Sequence, residues 1–215
     1  MILFITGTSS GVGKTSIAMR LNTLLMQKGF YIISTKPITT GEISQDALLH
    51  AQTQSEPKQI SDICLYSFKL HASPFVADKD GVIDIATIKN HLFALKEHCD
   101  ILVVEGVGGL FVPIKRDYFM IDLIKDLGAF CLLVSSDRLG CINDILLNAQ
   151  SLNARKIPFI NTINLFSKLD FFKISYPFLK HLPNFFVFQT QESELCEFIA
   201  QKSLKYMEGE YEYIL

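Results

Sequence analysis

No run in this 215-residue sequence approaches the roughly 20 consecutive apolar residues that a membrane-crossing helix needs, so no span is expected. Positive charge is not in excess either: 20 Lys and Arg stand against 22 Asp and Glu, a formal net charge of −2, and the basic residues do not gather into a stripe. That removes the electrostatic footprint of a nucleic-acid surface. No Pro/Ser-rich linker, charge run or repeat divides the chain, so residues 1–215 read as one domain with one sizeable core. The five cysteines, Cys64, Cys99, Cys131, Cys141 and Cys196, are odd in number and form no C-x-x-C pair. They read as reduced thiols of a cytoplasmic protein. The five histidines have no metal-ligand spacing, and the first apolar run begins at once, leaving no room for a signal peptide.

What is present is globular: 49% hydrophobic and 20% charged residues. Short apolar runs at 2–6, 30–35, 101–104, 130–135, 157–163 and 184–188 alternate with helical patterns near 14–28, 84–98, 119–127, 141–154 and 191–206. Such alternation predicts an α/β fold, a mostly parallel sheet with helices on both faces. Ligands in such sheets bind beyond the carboxyl ends of the strands, and polar or glycine-rich segments stand at those ends.

The first of these segments is Gly7-Thr8-Ser9-Ser10-Gly11-Val12-Gly13-Lys14-Thr15, after Ile2-Leu3-Phe4-Ile5. Glycines let several backbone N–H groups converge on one anion, and the helix that follows adds its positive end. In such a P-loop Lys14 reaches the β and γ phosphates and Thr15 offers its hydroxyl to Mg²⁺. Ile17, Leu21, Leu24 and Leu25 give the following helix one apolar face. The loop is a variant, because Thr8 stands where the first glycine of G-x-x-x-x-G-K-[ST] belongs and Gly7 lies one residue earlier. A glycine-rich turn without ligand is the bland alternative.

Three further positions carry chemistry. Glu105 closes Ile101-Leu102-Val103-Val104, placing a carboxylate at the mouth of a buried strand, where a cation such as Mg²⁺ offsets its cost. Gly106, Gly108 and Gly109 beside it suggest close backbone approach to a ligand, while a turn cap or a surface ion pair is the other reading. Asp46, in Ser44-Gln45-Asp46-Ala47, reads as a metal ligand or as a helix cap. Lys36, between a strand and Pro37, adds a second cation for phosphoryl transfer or is an ordinary surface lysine. Gly140-Cys141-Ile142-Asn143 opens a helix whose N–H groups suit a carboxylate, although many helices begin this way and bind nothing.

Taken together, Gly-Thr-x-[Ser/Thr]-x-Val-Gly-Lys-Thr at 7–15, Lys36-Pro37 with Thr40-Gly41, Asp46, Val104-Glu105-Gly106-x-Gly108-Gly109 and Leu139-Gly140-Cys141-Ile142-Asn143 resemble the dethiobiotin synthetase family. The resemblance implies a P-loop NTPase-like enzyme that closes a cyclic urea on 7,8-diaminopelargonate using CO₂ and ATP. It implies phosphate contacts from Gly11, Val12, Gly13, Lys14, Thr15 and Ser16, with Gly106, Val107, Gly108 and Asn164 also at the nucleotide. It implies Mg²⁺ between Thr15, Asp46 and Glu105. Lys36 and Lys14 would be catalytic, and Ser10 and Thr40 would contact the diamine. Gly140, Cys141, Ile142 and Asn143 would receive the substrate carboxylate across the interface of a homodimer.

Some residues depart from the family pattern. Gly11 stands where many relatives carry an acidic side chain. Leu165 follows Asn164, the position of the family's base-reading asparagine, where a polar residue is more usual. Phe188-Gln189-Thr190-Gln191 lacks the proline pattern usual near the base. Weaker discrimination among ATP, GTP and CTP than in a chain with the full pattern is therefore expected. Two other readings remain. A cobyrinate-type amidoligase would need a glutaminase domain for which the chain is too short. A partition or cell-division switch ATPase would carry an early loop lysine, absent between Gly7 and Lys14, and a basic anchor where this chain has Glu208-Gly209-Glu210-Tyr211-Glu212. Phe171, Phe172, Phe178, Phe185 and Phe186 read as core or interface, with core the default.

Overall fold

The structure, a computed structural model, describes residues 1–41, 45–166 and 170–209. Its first half runs β1 (Ile2–Gly7), α1 (Lys14–Gln27), β2 (Ile32–Thr35), β3 (Ile38–Thr40), α2 (Gln45–Gln52), α3 (Ile60–Ile63), β4 (Tyr66–Phe68), α4 (Pro74–Ala77) and α5 (Ile85–Lys96). There follow β5 (Ile101–Gly109), β6 (Pro113–Lys115), β7 (Tyr118–Phe119), α6 (Met120–Asp126), β8 (Phe130–Ser136) and α7 (Cys141–Ala154). The chain continues through β9 (Phe159–Asn164), α8 (Phe171–Ile174), α9 (Tyr176–Leu179), β10 (Phe185–Val187) and α10 (Phe188–Met207).

Every residue of β1 is buried, because successive side chains of a central strand face opposite sides of the sheet and both sides are covered. Ile2 and Phe4 enter one core with Leu102, Val104, Cys131 and Leu133, roofed by Ile88 and Leu92 of α5 and by Ile121 and Ile124 of α6. Leu3 and Ile5 enter the other with Val103, Leu132 and Val134, covered by Ile17, Leu21 and Leu25 of α1 and by Leu195 and Ile199 of α10. A third cluster joins Cys141 and Ile145 of α7 to Ile163, Phe171, Leu179 and Val187.

The six main strands form one sheet in the order β10-β9-β8-β1-β5-β2, with every pairing parallel. From β1 the chain crosses to β2 on one side of the sheet, and β8 later returns to the other side. The mouth of β1 is therefore the point where strand order reverses, the place such sheets use for ligands. Two small pairs, β3 with β4 and the antiparallel β6 with β7, lie outside this sheet.

Several expectations change. Glu105 does not follow its strand: β5 continues to Gly109, and Glu105 is paired in register with Ile5. The apolar run at 157–163 gives a strand over Phe159–Asn164, so Asn164 is the last residue of its strand. The run at 184–188 gives a strand only over 185–187, and the helix placed at 191–206 begins at Phe188, with non-helical angles at Gln191. Of the five phenylalanines expected in the core, Phe171 is buried but Phe172 and Phe178 are exposed. Glu210, Tyr211 and Glu212 of the acidic tail, and Ser44, lie outside the described residues.

Candidate active site

The loop between β1 and α1 is shaped by glycine where it meets the rest of the chain. Gly13 caps α1 in a left-handed conformation, φ 87°, and a Cβ there would stand 2.0 Å from the Asn164 amide nitrogen. Asn164 Nδ2 donates to the Val12 carbonyl at 3.1 Å, and its Oδ1 accepts from Gln189 Nε2 at 2.5 Å. The end of β9 is thus tied to the loop, and both ends of this amide are engaged. Lys14 is buried and donates to the Ser9 carbonyl at 3.4 Å, folded over the loop it would leave to meet a phosphate. Burial is the main cause that holds its ammonium below the ordinary lysine range, with Lys36 acting in the same direction.

Lys14, Thr15, Lys36, Asp46 and Glu105 converge. Thr15 Oγ1 donates to Glu105 Oε1 at 3.0 Å, and Lys36 Nζ donates to the same oxygen at 2.8 Å. The Lys36 ammonium is also ion-paired with Asp46 Oδ2. Glu105 is 1% exposed, so its charge stands where water cannot solvate it. Burial works against that charge, but the hydrogen bond from His50 and the nearby Lys36 outweigh it and hold the carboxyl at about 2. Burial likewise opposes charge on Lys36, yet Glu105 and Asp46 raise its affinity for the proton above the ordinary value.

The far oxygen, Glu105 Oε2, is held by His50 Nε2 at 2.9 Å. His50 Nδ1 lies 2.7 Å from Ser34 Oγ, which in turn receives the Asn22 Nδ2 donor at 2.8 Å. The sequence reading missed all three. Asp46 and His50 sit four residues apart and so share a face of α2, which is the one local signal that could have joined them.

Two carboxylates gather around one cation, the Lys36 ammonium, and the Thr15 hydroxyl meets the same Glu105 oxygen. Among the described residues no group of three or more His, Cys, Asp and Glu could enclose a metal. An oxygen-only set of two carboxylates and a hydroxyl that leaves positions for phosphate and water is what Mg²⁺ accepts, so the residues fit that ion.

Ser10 is exposed and lines a cavity of about 560 Å³ with Ser9, Gly109, Phe111, Leu147, Asn148 and other residues. Thr40 ends β3 and is half-buried. Gly106 is filled from within: a Cβ there would meet the Phe4 ring at 2.7 Å, so this glycine serves the core beneath Glu105. Gly108 has a positive φ of 64° beside Val112. Gly11 and Ser16 are exposed, and Val107 is half-buried. Gly140 caps α7, but Cys141 is buried and its N–H already donates to the Arg138 carbonyl at 3.1 Å. Gly140 to Asn143 do not line the cavity at Ser10, which is reached by the later turns of α7. All five cysteines are free thiols.

Comparison with known proteins gives consistent results. A family model described as an AAA domain matches residues 2–165. The ATP-dependent dethiobiotin synthetase of Sulfurovum sp. is 43% identical over 185 residues, covering 82% of this chain and 88% of that protein. The enzyme of the same name from Wolinella succinogenes is 38% identical, covering 84% and 89%. Among solved structures, a plasmid partition protein from Borrelia burgdorferi superposes with a TM-score of 0.64 at 17% identity, covering 94% of this chain and 98% of that one. That likeness is of fold. No helix among the described residues is long and apolar enough to cross a membrane.

Proposed function

The chain belongs to the dethiobiotin synthetase family, and from that premise we propose that it converts 7,8-diaminopelargonate, CO₂ and ATP to the cyclic urea dethiobiotin, ADP and phosphate. The observation that carries the reading is the convergence of Thr15, Lys36, Asp46 and Glu105 beside a phosphate loop whose Lys14 lies within reach of their charges. Residues 1–215 act as a single nucleotide-binding domain.

One amine attacks CO₂ and loses a proton, giving a carbamate. A carbamate oxygen attacks the γ-phosphorus while the bond to ADP breaks, and the second amine then attacks the carbonyl carbon. Phosphate leaves with the former carbamate oxygen. Acceptor and γ-phosphate are both anionic, so the chain must screen them from each other. Lys36 is placed for this once a substrate anion replaces Asp46 as its partner, and Lys14 covers the phosphates from the loop. N–H groups from Gly11 to Ser16 cradle the phosphates. Thr15, Asp46 and Glu105 would hold Mg²⁺, which when bound supplies charge neutralisation on the β- and γ-oxygens. Gly106 supports Glu105 from below, while Val107, Gly108 and Asn164 border the nucleotide.

Ser10 and Thr40 contact the diamine. The carboxylate of the substrate goes to the N-terminus of α7 from a second copy of the chain, at Gly140 to Asn143, since these residues do not reach the Ser10 cavity in their own chain. The exposed apolar residues Leu147 and Phe111, which border that cavity, are the contact proposed for the homodimer.

The chemistry has a direct test. CO₂ labelled with ¹⁸O should deliver one labelled oxygen to each phosphate released during a short reaction in ordinary water. Unlabelled phosphate would exclude transfer to the carbamate.

A further inference from the structure

Glu105 can present an oxygen to a cation only if its other oxygen and its backbone are fixed. Its carboxylate accepts bonds on both sides, and the two sides differ. Oε1 meets Thr15 and Lys36, which belong to the reacting centre, whereas Oε2 meets only the ring of His50 among the hydrogen bonds described. An ionised carboxylate is acceptor-only, so Nε2 of His50 must carry a proton. Nδ1 of the same ring lies 2.7 Å from Ser34 Oγ, and a hydroxyl both donates and accepts, so the pair is bonded whichever of the two carries the shared proton. Asn22 Nδ2 donates to the Ser34 oxygen, and it also donates to the Thr53 carbonyl at 2.9 Å. The bonds therefore form one continuous line, Asn22 to Ser34 to His50 to Glu105, which engages both ring nitrogens.

This line crosses four elements, α1, β2, α2 and β5, and its members are buried: Asn22, Ser34 and His50 are each 0% exposed. Gln54 binds α2 to the same strand, with Nε2 donating to the His50 carbonyl at 3.0 Å and Oε1 accepting from the Ser34 N–H at 3.3 Å. One turn before His50, Asp46 reaches the Lys36 ammonium. The ring thus fixes the orientation of Glu105 and the placement of the helix that supplies the second carboxylate.

We propose that His50 is a positioning residue: through Nε2 it pins Oε2 of Glu105 and, with Ser34 behind it, turns Oε1 and Asp46 toward the divalent cation that accompanies the nucleotide. This rests on the assignment of Thr15, Asp46 and Glu105 to Mg²⁺. Partners that orient a ligating side chain typically govern metal affinity by about 10- to 100-fold.

The test reads metal binding without turnover. Mn²⁺, observable by electron paramagnetic resonance, is titrated into the full-length protein loaded with a non-hydrolysable ATP analogue. His50→Leu should weaken Mn²⁺ binding by about tenfold or more. His50→Gln, whose amide nitrogen reaches the place of Nε2, should stay within about threefold of the parent. A general structural role would make both variants alike. Affinity for the analogue measured without metal should be unchanged in each. Ser34→Ala, a small change on a buried strand, should weaken Mn²⁺ binding measurably, and it decides the matter if His50→Leu gives no folded protein.

Parental affinity in His50→Leu, an equal loss in His50→Gln, or parental affinity in Ser34→Ala when His50→Leu does not fold would each overturn the proposal. Glu105→Gln runs in parallel. If it binds Mn²⁺ as the parent does, the metal assignment falls; if it loses Mn²⁺ while His50→Leu keeps it, the role of His50 falls and the metal site stands.

Discussion

Replacing Lys36 by Met removes one charge and keeps most of the aliphatic stem, which makes it a sharp probe of the charge cluster. Its ammonium is the cation between a carboxylate 1% exposed on its side chain and a half-buried one. Breaking a buried pair by deleting one partner costs about 3–5 kcal/mol, because the other charge is left without compensation. Thr15 and His50 still donate to Glu105, so the lower end, about 3 kcal/mol, is expected. In a chain of this length that is a loss of roughly 6–12 °C in Tm. Urea and thermal unfolding of the metal-free protein, followed by circular dichroism near neutral pH, provide the reading. Adding Glu105→Gln removes the stranded charge, so the double variant should melt above Lys36→Met alone. The same double variant should remain inactive. A Tm for Lys36→Met within about 2 °C of the parent would refute the argument, as would a double variant less stable than the single one.

Acid should act through Glu105 in a defined window. Its folded-state value of about 2 lies below the ordinary 4.5, so the stability it contributes is complete above pH 4.5 and is lost as pH falls from there toward 2. Unfolding free energy of Glu105→Gln should therefore fall less steeply than that of the parent across this range, and equal slopes would contradict the depressed value. Gly106→Ala places a Cβ 2.7 Å from the Phe4 ring and should cost about 1–3 kcal/mol by overpacking, read as a lower denaturant midpoint with unchanged slope. Leu147→Glu charges an exposed residue at the proposed two-fold contact and should give monomers by analytical ultracentrifugation, with a raised KM for the diamine. A dimer of parental affinity would place the contact elsewhere.

Long, doubly buried strands were legible because they are continuous apolar runs: β1 and β8 are buried at every position. Two- and three-residue strands such as β4 and β7 carry no periodicity, and nothing local announces them. Glu105 shows the limit from the other side. An ionisable residue after four apolar ones looks like a strand end, yet β5 carries it inward because Lys36 and His50 meet it there. The residues of the centre that lie in dense motifs, Lys14 and Thr15, were visible from spacing alone. His50, Ser34 and Asn22 come from three separate elements and acquire meaning only when β2 lies against β5 and α2 folds over them. Lys36 is intermediate, since its place after β2 was readable but its engagement with two carboxylates was not.

The most direct measurement is phosphate release by the purified protein with MgATP, bicarbonate and 7,8-diaminopelargonate, each omitted in turn, with the organic product identified by mass. Release that needs all of the components and is accompanied by the cyclic urea, and that falls about 100- to 1000-fold in Lys36→Met, is the expected result. Phosphate release that continues without the diamine, or a mixture in which no cyclic urea forms, would contradict the assignment.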